Sequence, residues 1–159
     1  MNATAWAVAL EASTLGHWMR TDPWAYPSAN VLHVLGLTLL VGPILLLDLR
    51  LLGWGRVFPV NAIARVLTAW SAAGLLLTIA SGTALFAADA GALAASSVMQ
   101  WKLALIGAGL ANAVAFRWLW SRDLEHWDRV QPALGRAQAL ASMVLWLAVP
   151  IAGRLIAYL

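Results

Sequence analysis

Residues 31–47 read VLHVLGLTLLVGPILLL, an apolar run that contains one histidine and no formal charge. The uncharged stretch around it, 23–47, is long enough to cross the hydrocarbon core of a bilayer, which is roughly 30 Å thick. Two more uncharged runs follow at 66–88 and 137–153. Charged residues make up only 11% of the 159 residues, too few to cover a water-exposed surface. The sequence therefore predicts an integral membrane protein.

A third span is less regular, because only fourteen residues separate Lys102 from Arg117. A helix of that length covers about 21 Å, so at least one of the two cations must lie at the membrane boundary. We predict an all-α fold: an integral membrane four-helix bundle with an N-terminal interfacial amphipathic helix. The single membrane domain covers 1–159, with the interfacial helix at about 3–20 and transmembrane spans at about 29–53, 66–88, 98–121 and 134–158.

The distribution of arginine predicts the orientation of this bundle. Arginine is frequent in the loop after the first span and in the loop between spans three and four, whereas the loop between spans two and three holds only Asp89. Because short cytoplasmic loops carry an excess of Lys and Arg, both termini are expected on the non-cytoplasmic side. The ten basic residues are spread along the chain rather than clustered, which argues against a nucleic-acid partner.

Rows of small residues at four-residue spacing predict where the helices pack, because they let two backbones approach closely in lipid. In the second and third spans these rows are Gly74, Thr78 and Gly82, and Gly107, Ala111 and Ala115. Asn112 of the third span is expected to hydrogen-bond to another helix.

Three ionisable residues lie about one turn inside the outer ends of their spans: His33, Lys102 and Arg154. Polar groups inside a bilayer need either a partner or a function. Two cations and an imidazole suit an anionic or carboxylate-bearing ligand, and His33 can also ligate a metal. The alternative is that Lys102 and Arg154 extend to the headgroups, while His33 donates a hydrogen bond to a backbone carbonyl.

Other candidate ligands lie towards the same outer side, namely His17, Met19 and Met99. Together with His33 they are the candidate metal ligands, since the chain has no cysteine. Asp48 and Arg50, at the inner end of the first span, are expected to form a structural ion pair with a neighbouring loop. No nucleophile motif, phosphate loop or paired carboxylates occur, so an enzymatic function is not favoured.

The chain resembles a family of small, uncharacterised four-helix proteins of the bacterial inner membrane. The resemblance depends on Tyr26–Pro27, on His33 and Gly36, on the Asp-Leu-Arg-Leu-Leu-Gly stretch at 48–53, on Lys102, and on Gly153–Arg154. It implies a bacterial inner-membrane location with periplasmic termini. This family is distantly similar to the membrane domain of copper-resistance D proteins and to b-type cytochromes, which implies a metal or haem.

Three functions follow from these observations. The first is haem b binding for electron transfer, with His33 as an axial ligand and Lys102 and Arg154 near the propionates. The second axial ligand would be His17, Met19 or Met99. Copper binding or import is the second interpretation, although the two cations would repel a metal cation. The third is a non-catalytic subunit or scaffold, in contact with membrane lipid, quinone, a larger membrane complex or a second copy of the chain.

Overall fold

The computed structural model describes residues 5–130 and 132–156. These residues form the helices α1 (Ala5–Glu11), α2 (Thr14–Thr21), α3 (Ala25–Leu51), α4 (Val60–Ala88), α5 (Ala90–Ala95), α6 (Ser97–Trp120), α7 (Trp127–Val130) and α8 (Ala133–Leu155). Helices α3, α4, α6 and α8 are long and apolar enough to cross a membrane. The predicted all-α membrane bundle is confirmed.

Many large apolar side chains point away from the bundle rather than into it. Leu76 is 70% exposed, Val144 68% and Ile151 61%. In water such a surface would be unstable, whereas in a bilayer it is the surface that contacts lipid. The exposed apolar side chains thus support the membrane assignment independently of helix length.

The N-terminal segment differs from the single helix predicted over 3–20. The described part forms two short helices, because the chain breaks at Ala12 and Ser13 and the Ser13 hydroxyl then accepts a hydrogen bond from the Gly16 amide at 3.3 Å. Serine at this position satisfies an otherwise unpaired amide of the first turn of α2. Positions 3 and 4, like positions 157 and 158 of the fourth predicted span, lie outside the described residues.

Helices α1 and α2 cover the outer end of the bundle, where α4 ends and α5 begins. Arg20 donates hydrogen bonds to the Ala88 carbonyl at 3.0 Å and to the Glu11 carbonyl at 2.8 Å. The Glu11 carboxylate in turn accepts a hydrogen bond from the Gly91 amide at 2.9 Å. These bonds satisfy backbone groups at helix ends and fix the outer cover in place.

The four long helices pack in the order α4, α3, α8, α6, and α4 and α6 scarcely touch each other. Helices α3 and α4 are in closest contact, since a Cβ on Gly36 would lie 2.9 Å from the Thr78 amide and one on Gly74 would lie 2.8 Å from the Gly36 carbonyl oxygen. We call the end where α3 ends and α4 begins the inner end. The bundle is open on one side, between α4 and α6.

Candidate functional site

A cleft of about 840 Å³ lies at the inner end, between α4 and α6. It exists because α3 and α8 pack together behind it while α4 and α6 stay apart. Its deep part is apolar, and amide, hydroxyl and guanidinium groups lie closer to the inner end. We call it the inner cleft; its polar lining includes Asp48, Arg65, Thr68, Asn112, Arg117 and Ser142.

Trp146 of α8 sets the depth of the inner cleft. Its side chain is buried and packs with Leu40 and Val149. A Cβ on Gly109 of α6 would lie 3.0 Å from Cε2 of the indole, so glycine leaves room for the ring between α6 and α8. The cleft therefore ends on a well-packed aromatic surface in the middle of the bundle.

Asp48 is the buried carboxylate of the inner cleft. It is 5% exposed and lies three residues before α3 ends at Leu51. The Ser142 hydroxyl lies within hydrogen-bonding reach of the carboxylate, but within the described residues Oδ2 has no hydrogen-bond partner. An unsatisfied buried polar group costs about 1–3 kcal/mol, so its presence calls for an explanation, and a ligand-binding role is one. Asp48 thus offers an unoccupied acceptor on the wall of a cavity.

Two hydrogen bonds to Gln138, which lines the inner cleft, hold α6 against α8. Asn112 donates a hydrogen bond to the Gln138 carbonyl at 3.1 Å, and the Trp120 indole donates to the Gln138 side chain at 2.7 Å. The helix-to-helix hydrogen bond predicted for Asn112 is confirmed. These polar groups are satisfied within the fold, which distinguishes them from Asp48.

Arg50 lies beside the cleft and has a separate, structural role. It is 3% exposed and donates to both carboxylate oxygens of Asp128 at 2.9 and 2.6 Å, and to the Phe58 carbonyl at 2.7 Å. The hydrogen bonds from Arg50 hold the pKa of Asp128 below its ordinary value. Arg50 therefore forms an ion pair with the loop between α6 and α8, whereas Asp48 faces Ser142 and the cleft.

Of the three residues predicted to form an outer-side site, the structure places His33 near Lys102, while Arg154 is exposed in the last turn of α8. His33 packs on Gly82, and its Nδ1 lies 3.2 Å from the Ser81 hydroxyl, so the imidazole rests on α4. Lys102 is close enough to act electrostatically on His33, and its Nζ would lie 3.3 Å from a Cβ on Gly153, next to Arg154. Lys102 and the His33 imidazole therefore lie in one region. The imidazole is hydrogen-bonded to Ser81 and does not line a described cavity.

The other candidate ligands are dispersed. His17 is exposed on α2, Met99 is half-buried in the first turn of α6, and Met19 is 2% exposed in a cluster with Ala25 and Ala88. Across residues 5–130 and 132–156, no three His, Asp or Glu side chains are grouped so that they could hold a metal ion. His17 and Met19 lie on α2 and Met99 on α6, whereas the His33 imidazole rests on Ser81 and Gly82 of α4.

No family model, no curated protein and no solved structure matches this chain. The resemblance to small bacterial inner-membrane proteins accordingly stays a prediction from the sequence. The inner cleft and its unsatisfied carboxylate are features of the chain itself, and they carry the functional argument.

Proposed function

We propose that this protein binds an amphipathic ligand in the inner cleft, which the ligand enters from the inner leaflet between α4 and α6. The observation that carries this proposal is Asp48, a carboxylate 5% exposed whose Oδ2 lacks a hydrogen-bond partner in the described structure. Ligand sites are typically clefts of roughly 300–1,000 Å³ with mostly apolar walls and a few polar groups. The inner cleft has this size and this distribution of groups.

The chemistry of the lining defines the kind of ligand. Asp48 and the Ser142 hydroxyl suit a head that carries a hydroxyl or another hydrogen-bond donor, while the wall around Leu40 and Trp146 suits a hydrocarbon chain. The opening between α4 and α6 lets a ligand diffuse in from the bilayer without passing through water. Binding, rather than hydrolysis, is the activity that this set of groups supports.

The inner end is proposed to face the cytoplasm of a bacterial cell, with both termini in the periplasm. The arginine-rich loops support this orientation, since Arg56, Arg122 and Arg129 lie at the inner end while Asp89 lies at the outer end. The ligand would then be a component of the cytoplasmic leaflet.

A cysteine placed in the cleft tests the proposal, because the natural chain has none. In detergent-purified Thr68→Cys protein, dioctanoylglycerol, an uncharged amphiphile with one hydroxyl, is expected to slow maleimide labelling at least tenfold. Asp48→Leu in the same background should abolish this protection, since it removes the acceptor. Asp48→Leu should also raise the free energy of unfolding by about 1–3 kcal/mol, because it removes an unsatisfied buried group.

The matched control is Ala69→Cys, at the next position of α4 and exposed outside the cleft wall. Its labelling rate should not respond to dioctanoylglycerol. Equal protection of both cysteines would mean that the amphiphile only coats the protein, and protection that persists in Asp48→Leu would remove the carboxylate from the site. Either result contradicts the proposal.

A second candidate function concerns the outer side, where Lys102 lies close to both His33 and Gly153. The sequence-based proposal for this region is haem b, with His33 as an axial ligand and electron transfer as the function; copper is the alternative. An absorption spectrum of the purified protein tests it: we expect a Soret band that is lost in His33→Ala. Colourless protein with stoichiometric copper would favour copper, and colourless protein without metal would exclude both.

A further inference from the structure

We propose that the ligand of the inner cleft is an anionic glycerophospholipid, whose phosphate binds Arg65, Arg117 and Arg122. This inference rests on the proposed function, because it names the ligand class for the same cleft. Basic pockets between transmembrane helices on the cytoplasmic side are established binding sites for anionic lipid headgroups.

All three arginines line the inner cleft, Arg65 from α4, Arg117 from α6, and Arg122 from the loop that follows. Within residues 5–130 and 132–156 none of them forms an ion pair or donates a hydrogen bond that would neutralise it. The cleft also holds the carboxylates of Asp48 and Glu125, so its lining has one positive charge in excess when all five groups are ionised. Guanidinium groups bind phosphate oxygens in pairs, which suits them to a phosphodiester.

The depth of these residues matches that of a lipid headgroup. Arg117 lies three residues before α6 ends, and Arg65 lies five residues after α4 begins. Between Arg117 and the end of α6, Trp118 is 83% exposed on the outward surface, as expected of a ring at the membrane interface. A phosphate of the inner leaflet therefore reaches the arginines without leaving its natural depth.

The remaining groups fit the rest of such a lipid. The apolar wall formed by Leu40, Leu75 and Leu110 lies deeper in the bundle than the arginines and can receive an acyl chain. The Asp48 carboxylate can accept a hydrogen bond from a hydroxyl group of the head, and the Ser142 hydroxyl can donate to or accept from one, as in a glycerol headgroup. Phosphatidylglycerol combines these three features, an acyl chain, a phosphate and free hydroxyls.

The test compares two charge-matched double variants in the Thr68→Cys protein. Arg117→Gln/Arg122→Gln removes two cations from the cleft, and Arg129→Gln/Arg136→Gln removes two exposed cations at the same end but outside its lining. Each basic residue contributes about 1 kcal/mol near an anionic lipid surface, or roughly fivefold in affinity. The concentration of dioctanoyl phosphatidylglycerol that half-protects the cysteine should rise about thirtyfold in the first variant and less than threefold in the second.

Four outcomes would overturn the inference. If the two double variants weaken protection equally, the effect is one of net charge and not of the cleft. If uncharged dioctanoylglycerol protects as strongly as phosphatidylglycerol, the cleft binds an amphiphile but does not recognise its phosphate. The proposed function would then hold without this inference. If inorganic phosphate protects at the same concentration, the ligand is a soluble anion rather than a lipid; if no amphiphile protects, the proposed function itself fails.

Discussion

Gly74→Val is expected to lower the free energy of unfolding by about 3 kcal/mol, the upper end of the range for overpacking. A Cβ at this position would lie 2.6 Å from the Leu39 carbonyl carbon and 2.8 Å from the Gly36 carbonyl oxygen. Both atoms belong to the backbone of α3, so no side chain can rotate to make room. Helices α3 and α4 would have to separate, and in lipid close packing is the main force that holds them together.

Gly107→Val is the matched control for this substitution. Both glycines lie inside transmembrane helices, so the change in helix propensity is the same, but a Cβ on Gly107 would meet nothing within 4 Å. Unfolding by sodium dodecyl sulfate, followed by intrinsic tryptophan fluorescence, gives the free energy for both variants. A loss at Gly107 as large as that at Gly74 would show that backbone propensity, and not the contact between α3 and α4, determines stability.

The same two glycines show how far the sequence could predict the packing. The row of small residues in the second span does face α3, where Gly74, Thr78 and Gly82 meet Gly36 and His33. The equivalent row in the third span was assigned to an interface, but Gly107 faces open space and Gly109 is the glycine that packs on Trp146. A helical period identifies a face, and only the neighbouring helices decide whether that face is buried.

The four spans were predictable, because twenty or so apolar residues have few stable alternatives to a transmembrane helix. The residues at which the helices begin and end were less predictable. Helix α4 begins at Val60, six residues before the predicted start, and includes Arg65. The charge of Arg65 predicts that this residue belongs to the preceding loop. A membrane helix can, however, extend past the bilayer boundary into water.

The inner cleft could not be derived from the sequence, because it exists only where α4 and α6 stay apart, and the sequence does not show which helices are in contact. Asp48 carries the strongest signal, a carboxylate at the end of an apolar run, but its position in the sequence predicts an ion pair with a neighbouring loop, as for Arg50. The row of Ser142 and Trp146 on α8 was visible at four-residue spacing. That this row faces Asp48 follows only from the packing of α3 on α8.

Asp128→Ala is expected to destabilise the fold by about 3 kcal/mol, whereas Arg50→Met costs at most about 1 kcal/mol. The asymmetry arises from burial, because Arg50 is 3% exposed and the Asp128 side chain is 42% exposed. Removing the carboxylate leaves a buried guanidinium whose remaining hydrogen bond in the described structure goes to the Phe58 carbonyl. Removing the guanidinium leaves a carboxylate that water can solvate, so the double variant should recover most of the stability lost in Asp128→Ala.

The pH dependence of stability distinguishes the charge interaction between Arg50 and Asp128 from an effect of packing. Since Arg50 lowers the pKa of Asp128 in the folded protein, the stability it adds is complete above the ordinary aspartate value of about 4 and is lost as the pH falls through the folded value. The difference in unfolding free energy between the natural protein and Asp128→Ala should therefore be constant from pH 7 to pH 5 and shrink below pH 4. If the difference is undiminished at pH 2, the charge pair does not hold the segment between α6 and α8 on α3. The same conclusion follows if Arg50→Met has a lower free energy of unfolding than Asp128→Ala.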